Sequence, residues 1–123
     1  MVTKIVAEHV QLKRAYEVPA GSDGTRILID RCWPRGVKKT NAAIDQWAKD
    51  IAPSVALRKW FNFDPQRWQE FRSLYAAEVQ KDSEPLDRLR GLASRGPITL
   101  VYSARNKLHN NAVVLRELLL ASK

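Results

Sequence analysis

Apolar positions recur with a period of two in some stretches and at helical spacing in others, and the two patterns take turns along the chain. From His9 to Tyr16, the residues Val10, Leu12 and Arg14 alternate with Gln11 and Lys13, which predicts a half-buried strand. Pro19-Ala20-Gly21-Ser22-Asp23-Gly24 reads as a turn, because glycine permits positive φ and Ser and Asp offer local hydrogen bonds. Arg26 to Asp30 is short, apolar and β-branched, like a strand buried on both faces, and Pro34 and Gly36 end it. After the basic linker Val37-Lys38-Lys39-Thr40, the residues Ile44, Trp47, Ala48, Ile51 and Ala52 fall at helical spacing, with a strand through Asp45 to Asp50 as the alternative.

Pro53 interrupts that stretch, and Ser54 can cap a short helix carrying Leu57, Trp60 and Phe61. Asp64-Pro65 is a stronger start signal, with Asp as N-cap and Pro where its missing N–H costs nothing. A long helix then buries Trp68, Phe71, Leu74 or Tyr75, and Val79. Another helix begins near Pro85, buries Leu86, Leu89 and Leu92, and stops at Gly96-Pro97. Ile98 to Ser103 is a second buried strand, and a last helix from Asn111 to Ala121 turns Ala112, Leu115, Leu118 and Leu119 inward. Strands alternating with helices predict an α/β fold: a single compact domain with a small, mostly parallel sheet flanked by helices.

Composition narrows the classes. At 123 residues, 45% hydrophobic and 28% charged, the chain has the size and balance of one domain with one core. No apolar run approaches the roughly 20 residues of a membrane span. The segment Met1 to Val6 is followed by Glu8 instead of an apolar signal core, so a cytoplasmic location is expected. A lone cysteine cannot form an intramolecular disulfide, which suits a reducing compartment. His9 and His109 lie far apart with no cluster at ligand spacing, so no metal is expected. Glycine-rich nucleotide loops and the nucleophile elbow of hydrolases are missing, so no cofactor is expected either.

Charge points the same way as the loops. A formal net charge of +8 attracts phosphate-bearing or carboxylate-bearing partners. The two buried strands each emit arginines past their C-terminal ends, Arg31 and Arg35 from one and Arg105 from the other. If the strands are parallel neighbours, those guanidiniums converge on the crevice where open α/β sheets bind ligands, and their planar forks suit an oxyanion. The start of the last helix would add N–H groups near Asn110 and Asn111. Ser103, Asn106 and His109 supply neutral hydrogen bonds, Asn110 is a further candidate ligand-binding residue, and Trp33 can stack on a ring.

Plainer readings stand beside these. Asp30 and Arg31 could form a buried pair that only fixes the turn, and Trp33 could cap the core. Trp47, Trp60 and Trp68 sit on apolar stripes and are assigned to packing. Cys32 lacks an arginine six positions on, where Lys38 stands, so the phosphatase loop pattern fails and a small core residue is the commoner role. His109 is the candidate general acid or base, since its ordinary pKa lies near neutrality.

The segments Arg26-Ile27-Leu28-Ile29-Asp30-Arg31-Cys32-Trp33-Pro34-Arg35-Gly36, Ala52-Pro53-Ser54 after Trp47, Leu57-Arg58-Lys59-Trp60-Phe61, Tyr102-Ser103-Ala104-Arg105 and His109-Asn110-Asn111-Ala112 together resemble a bacterial family, domain of unknown function 488, in its short YeaO-like form. The resemblance runs from about residue 10 to residue 120. It implies a compact α/β domain with no established activity. The matching hallmark positions are Asp30, Arg31, Trp33, Pro34, Arg35, Gly36, Pro53, Ser54, Arg58, Trp60, Phe61, Arg105, His109 and Asn110, while the position of Cys32 is often aliphatic in relatives. Three function classes follow as expectations: a pocket for a phosphorylated or carboxylated small molecule, held by Arg31, Arg35 and Arg105; a nucleic-acid-binding module, motivated by the charge; and a non-catalytic interaction domain whose arginines only brace loops.

Overall fold

The run from Ile98 forms β4 (Ile98–Tyr102), every residue of which is buried. It lies between β1 (Val10–Arg14) and β2 (Thr25–Leu28), and β3 (Gln46–Trp47) completes a sheet of order β1-β4-β2-β3. All pairings are parallel, with Leu12 and Ile27 both opposite Leu100. A strand with neighbours on both edges and cover on both faces needs apolar residues at successive positions, which is why β4 shows no alternation. These features belong to a computed structural model that describes residues 5–121, so the Met1–Lys4 stretch of the expected leaderless N-terminus lies outside the described residues.

Among the described residues five α-helices complete the α/β domain: α1 (Lys39–Ala42), α2 (Val55–Phe61), α3 (Trp68–Lys81), α4 (Glu84–Arg95) and α5 (Asn111–Leu120). Their starts follow the capping residues. Ser54 Oγ accepts from the Leu57 N–H at 3.2 Å, and the Asp64 carboxylate accepts from the Gln66 N–H at 3.0 Å ahead of α3. Asn110 Oδ1 accepts from the Val113 N–H at 3.0 Å at the start of α5. On α3 the inward position goes to Tyr75, whose hydroxyl donates to the Ile51 carbonyl at 2.6 Å, and Leu74 faces solvent. On α5, Val114 is buried and Leu118 only partly so.

The two faces of the sheet are covered differently. Val10, Ile27, Ile29, Ile98, Leu100 and Tyr102 meet the apolar sides of α2, α3, α4 and α5 in the main core. Burying each of these large side chains contributes about 1.5–3 kcal/mol. On the opposite face Ala15, Leu28 and Val101 pack under Trp33, Val37, Ile44 and Trp47. Beside that small cluster lies a buried polar knot. Arg26 Nη1 donates to the Asp23 carboxylate at 2.7 Å, Lys13 Nζ does so at 3.0 Å, and Thr99 Oγ1 donates to the Asp23 carbonyl at 2.7 Å. Arg26 Nη2 also donates to the Ala42 carbonyl at 2.9 Å, tying α1 to this face.

The helical reading of Ile44 to Ala52 is corrected. This stretch is an edge strand: the Asp45 N–H donates to the Arg26 carbonyl at 2.9 Å and the Ala48 N–H to the Leu28 carbonyl at 2.8 Å, before a 3-10 turn over Lys49–Ile51. Its apolar residues do not form one stripe. Ile44 and Trp47 serve the second face, whereas Ala48 and Ile51 serve the main core. The α-helix before it, α1, starts instead within the expected basic linker and ends at Ala42, ahead of Ile44.

Candidate functional site

β2 and β4 are adjacent and parallel, but the chain leaves them in opposite directions: β2 leads toward β3 on one edge, and β4 leads into α5, which packs beside β1. The two exit loops therefore part at their C-terminal ends and leave a crevice. A cavity of about 350 Å³ lies there, lined from the first loop by Asp30, Arg31, Cys32, Trp33, Pro34 and Arg35 and from the second by Ser103, Ala104, His109, Asn110 and Asn111. Ala52, Pro53, Arg58, Phe61, Phe63, Phe71 and Tyr16 close the remaining sides.

Asp30 joins the two loops. Its Oδ2 accepts from the Ser103 N–H at 2.9 Å and from Ser103 Oγ at 2.6 Å, and its Oδ1 accepts from Asn111 Nδ2 at 3.0 Å. The expected Asp30–Arg31 pair is thereby replaced. Both residues lie in a bend past the end of β2, where Arg31 turns away to donate from Nη2 to the Pro53 carbonyl at 3.2 Å. Asn111 is thus occupied by the protein's own carboxylate, and Asn110 is occupied in capping α5 and in donating from Nδ2 to the Asn106 carbonyl at 2.8 Å.

The first loop is held from both flanks. Trp33 Nε1 donates to the Val37 carbonyl at 2.7 Å, its ring meets Trp47 edge-on at 5.4 Å, and Trp47 Nε1 donates to the Asp30 carbonyl at 2.7 Å. On the other flank the Tyr16 hydroxyl donates to the Arg35 carbonyl at 3.0 Å. Trp33 consequently does two things, packing on the second face and lining the cavity. Cys32, read from the sequence as a small core residue, is exposed and lines the cavity mouth. An abrupt turn follows the buried strand, so the burial of Ile29 does not carry over to position 32.

Cationic side chains from two elements share this space. Arg31 and Arg35 line it from the loop and Arg58 from α2, and among the described residues none of the three is in an ion pair. Arg105 and Asn106 are not among the lining residues. The second loop explains this. Arg14 Nε fixes the Ala104 carbonyl at 2.8 Å, and Asn106 Oδ1 accepts from the N–H groups of Leu108 and His109 at 2.9 and 3.0 Å. The chain coils on itself beyond Ala104 and leaves Arg105 exposed. Arg58 takes the third position that sequence reasoning gave to Arg105. Its signals were membership of a hallmark segment and the cap at Ser54, which starts a helix carrying Arg58 and Phe61 three residues apart on one side.

The apolar wall is aromatic. Phe61 stacks on Phe71 with centroids 4.2 Å apart, and Phe63 follows Phe61 at 6.5 Å. The His109 ring lies against Trp68 with centroids at 4.8 Å, and its Nδ1 is buried without a hydrogen-bond partner. Among the described residues no group of His, Cys, Asp and Glu could hold a metal ion, and no helix is long and apolar enough to cross a membrane.

A family model described as "Inactive DUF488-N3 subclade" matches residues 9–123 of the chain. The chain is similar to the uncharacterized protein YeaO of Escherichia coli strain K12, with 45% identity over 109 residues that span 89% of this chain and 95% of YeaO. It is also similar to the uncharacterized proteins Mb3100c of Mycobacterium bovis and Rv3073c of Mycobacterium tuberculosis strain H37Rv, each 41% identical over 110 residues, or 89% of this chain and 92% of the relative. No solved structure matches the chain.

Proposed function

The chain belongs to the DUF488 family in its YeaO-like form, and from that premise we propose that its cavity holds a small phosphorylated or carboxylated molecule without transforming it. The observation that carries this reading is the set Arg31, Arg35 and Arg58 around one cavity with no acidic partner among the described residues. The one carboxylate in the lining, Asp30, already accepts three hydrogen bonds from Ser103 and Asn111. An oxyanion in the cavity would neutralise this cationic wall while accepting the planar guanidinium donors. Trp33 shapes the wall next to the anion, and Ser103 and Asn110 hold the facing loop. Exposed Arg105, with Asn106 fixing its loop, adds to the field that attracts the ligand.

Binding without turnover is favoured by two points. The subclade is described as inactive, and His109 Nδ1 has no partner to orient the ring as a proton carrier needs. His109, packed on Trp68, then serves as part of the cavity wall instead of as a general acid or base. The exposed, unpaired Cys32 fits a reducing cytoplasm as the place where this happens.

A thermal-shift titration at low ionic strength tests the reading with inorganic phosphate and acetate on the full chain. A ligand at one hundred times its dissociation constant stabilises the native state by about 2.7 kcal/mol. The expected outcome is a dose-dependent rise in melting temperature that vanishes in the double variant R35Q/R58Q. A flat response to both anions, or a rise that survives in the double variant, overturns the proposal.

A further inference from the structure

Resting on the anion-binding reading, we infer that the ligand carries its charge on a flat aromatic ring, as an aryl phosphate or aryl carboxylate, with the ring seated against Phe61 and Phe63. Size is the first ground. A cavity of about 350 Å³ is at the small end of organic-ligand pockets, roughly 300–1,000 Å³. It is about ten times the roughly 30 Å³ share of one water molecule, so a bare oxyanion leaves most of it unfilled.

Placement is the second ground. Arg58 and Phe61 are three residues apart on α2, so a cation and an aromatic ring stand side by side on the helix face that lines the cavity. Phe61 cannot swing away, because it is buried and stacked on Phe71 at 4.2 Å. Its neighbour Phe63 lines the same cavity yet is 63% exposed. The chain holds Asn62 and Phe63 at φ of 46° and 55°, the left-handed region that a phenylalanine rarely occupies. The turn thus presents a large apolar ring to an open cavity with one face free, where an aromatic ligand can stack in an offset or tilted arrangement.

Calorimetric titration of the full chain with inorganic phosphate, methyl phosphate, phenyl phosphate, acetate and benzoate tests the inference. Phenyl phosphate is expected to bind about tenfold tighter than methyl or inorganic phosphate, and benzoate tighter than acetate. Whichever aryl anion binds more tightly identifies the charged group. F63A should lose most of the aryl advantage and keep the affinity for inorganic phosphate, whereas R58Q should weaken both. F63L, which keeps an apolar side chain at the same place, should fall between wild type and F63A. Equal binding of phenyl, methyl and inorganic phosphate, all weakened by R58Q, overturns the ring while the anion pocket stands. An aryl preference unchanged in F63A and F63L overturns its placement on Phe63. No binding of any of the five anions overturns both the ring and the anion pocket.

Discussion

Asp30 shows how much one carboxylate can organise when its neighbours donate to both oxygens. It binds Ser103 twice and Asn111 once, spanning the end of β2, the end of β4 and the start of α5. D30A would leave partly buried donors without an acceptor, a loss of about 2 kcal/mol, and a melting point lower by about 8 °C for a domain of this size. A thermal melt checks this. Arg35 and Arg58 behave oppositely. Both are exposed and without ion pairs among the described residues, so R35Q/R58Q should leave the stability of the unliganded protein within about 0.5 kcal/mol of wild type. A large drop would mean that they brace loops. At this scale the sequence was only half legible. The arginines of the first loop could be placed from strand and turn signals, because both act on neighbouring residues. The destinations of Cys32, Arg58 and Arg105 depend on how distant segments fold back, as when Arg14 pins the Ala104 carbonyl and turns Arg105 outward.

Elements with their own start and stop signals were readable. Ser54, Asp64-Pro65, and Gly96-Pro97 mark the ends of α2, α3 and α4, since caps are local chemistry. The two-residue strand β3 was readable only as the alternative to a helix, within Asp45 to Asp50, because nothing local makes it extended. Its backbone is fixed by bonds to Arg26 and Leu28 and its Trp47 by the Asp30 carbonyl. Two substitutions probe element ends. N110A removes the cap of α5 and the bond to Asn106, and should cost about 1–2 kcal/mol in chemical denaturation. G24A should cost more: Gly24 has φ of 65° and an added Cβ would overlap the Pro97 carbonyl, forcing β2 away from the start of β4. A G24A protein as stable as wild type would show that this junction yields easily.

Across the whole molecule, the α/β class and the crevice between β2 and β4 were legible because they follow from the order of strong strands and helices. The unequal cover of the two faces was not, since it depends on which distant segments fold over each face; beside the smaller apolar cluster sits a buried ion cluster formed by Lys13, Asp23 and Arg26. Burial pushes the Asp23 carboxyl up, but the Ala20 N–H, Lys13 and Arg26 outweigh it and hold its pKa below the ordinary value. A depressed folded pKa gives stability that is fully present above the unfolded value of about 3.9 and is lost as pH falls through the folded one. Stability measured in urea should therefore fall steeply below about pH 4 in wild type and less steeply in D23N. Equal slopes would remove Asp23 from acid sensitivity. The apolar helix layer has no such trigger. The cavity straddles this seam, taking Trp33 from the charge-dependent side and Phe61 and Phe71 from the helix side. An occupant would act as a rivet between two plates that loosen under different conditions, so the filled protein should tolerate acid that peels the empty one open.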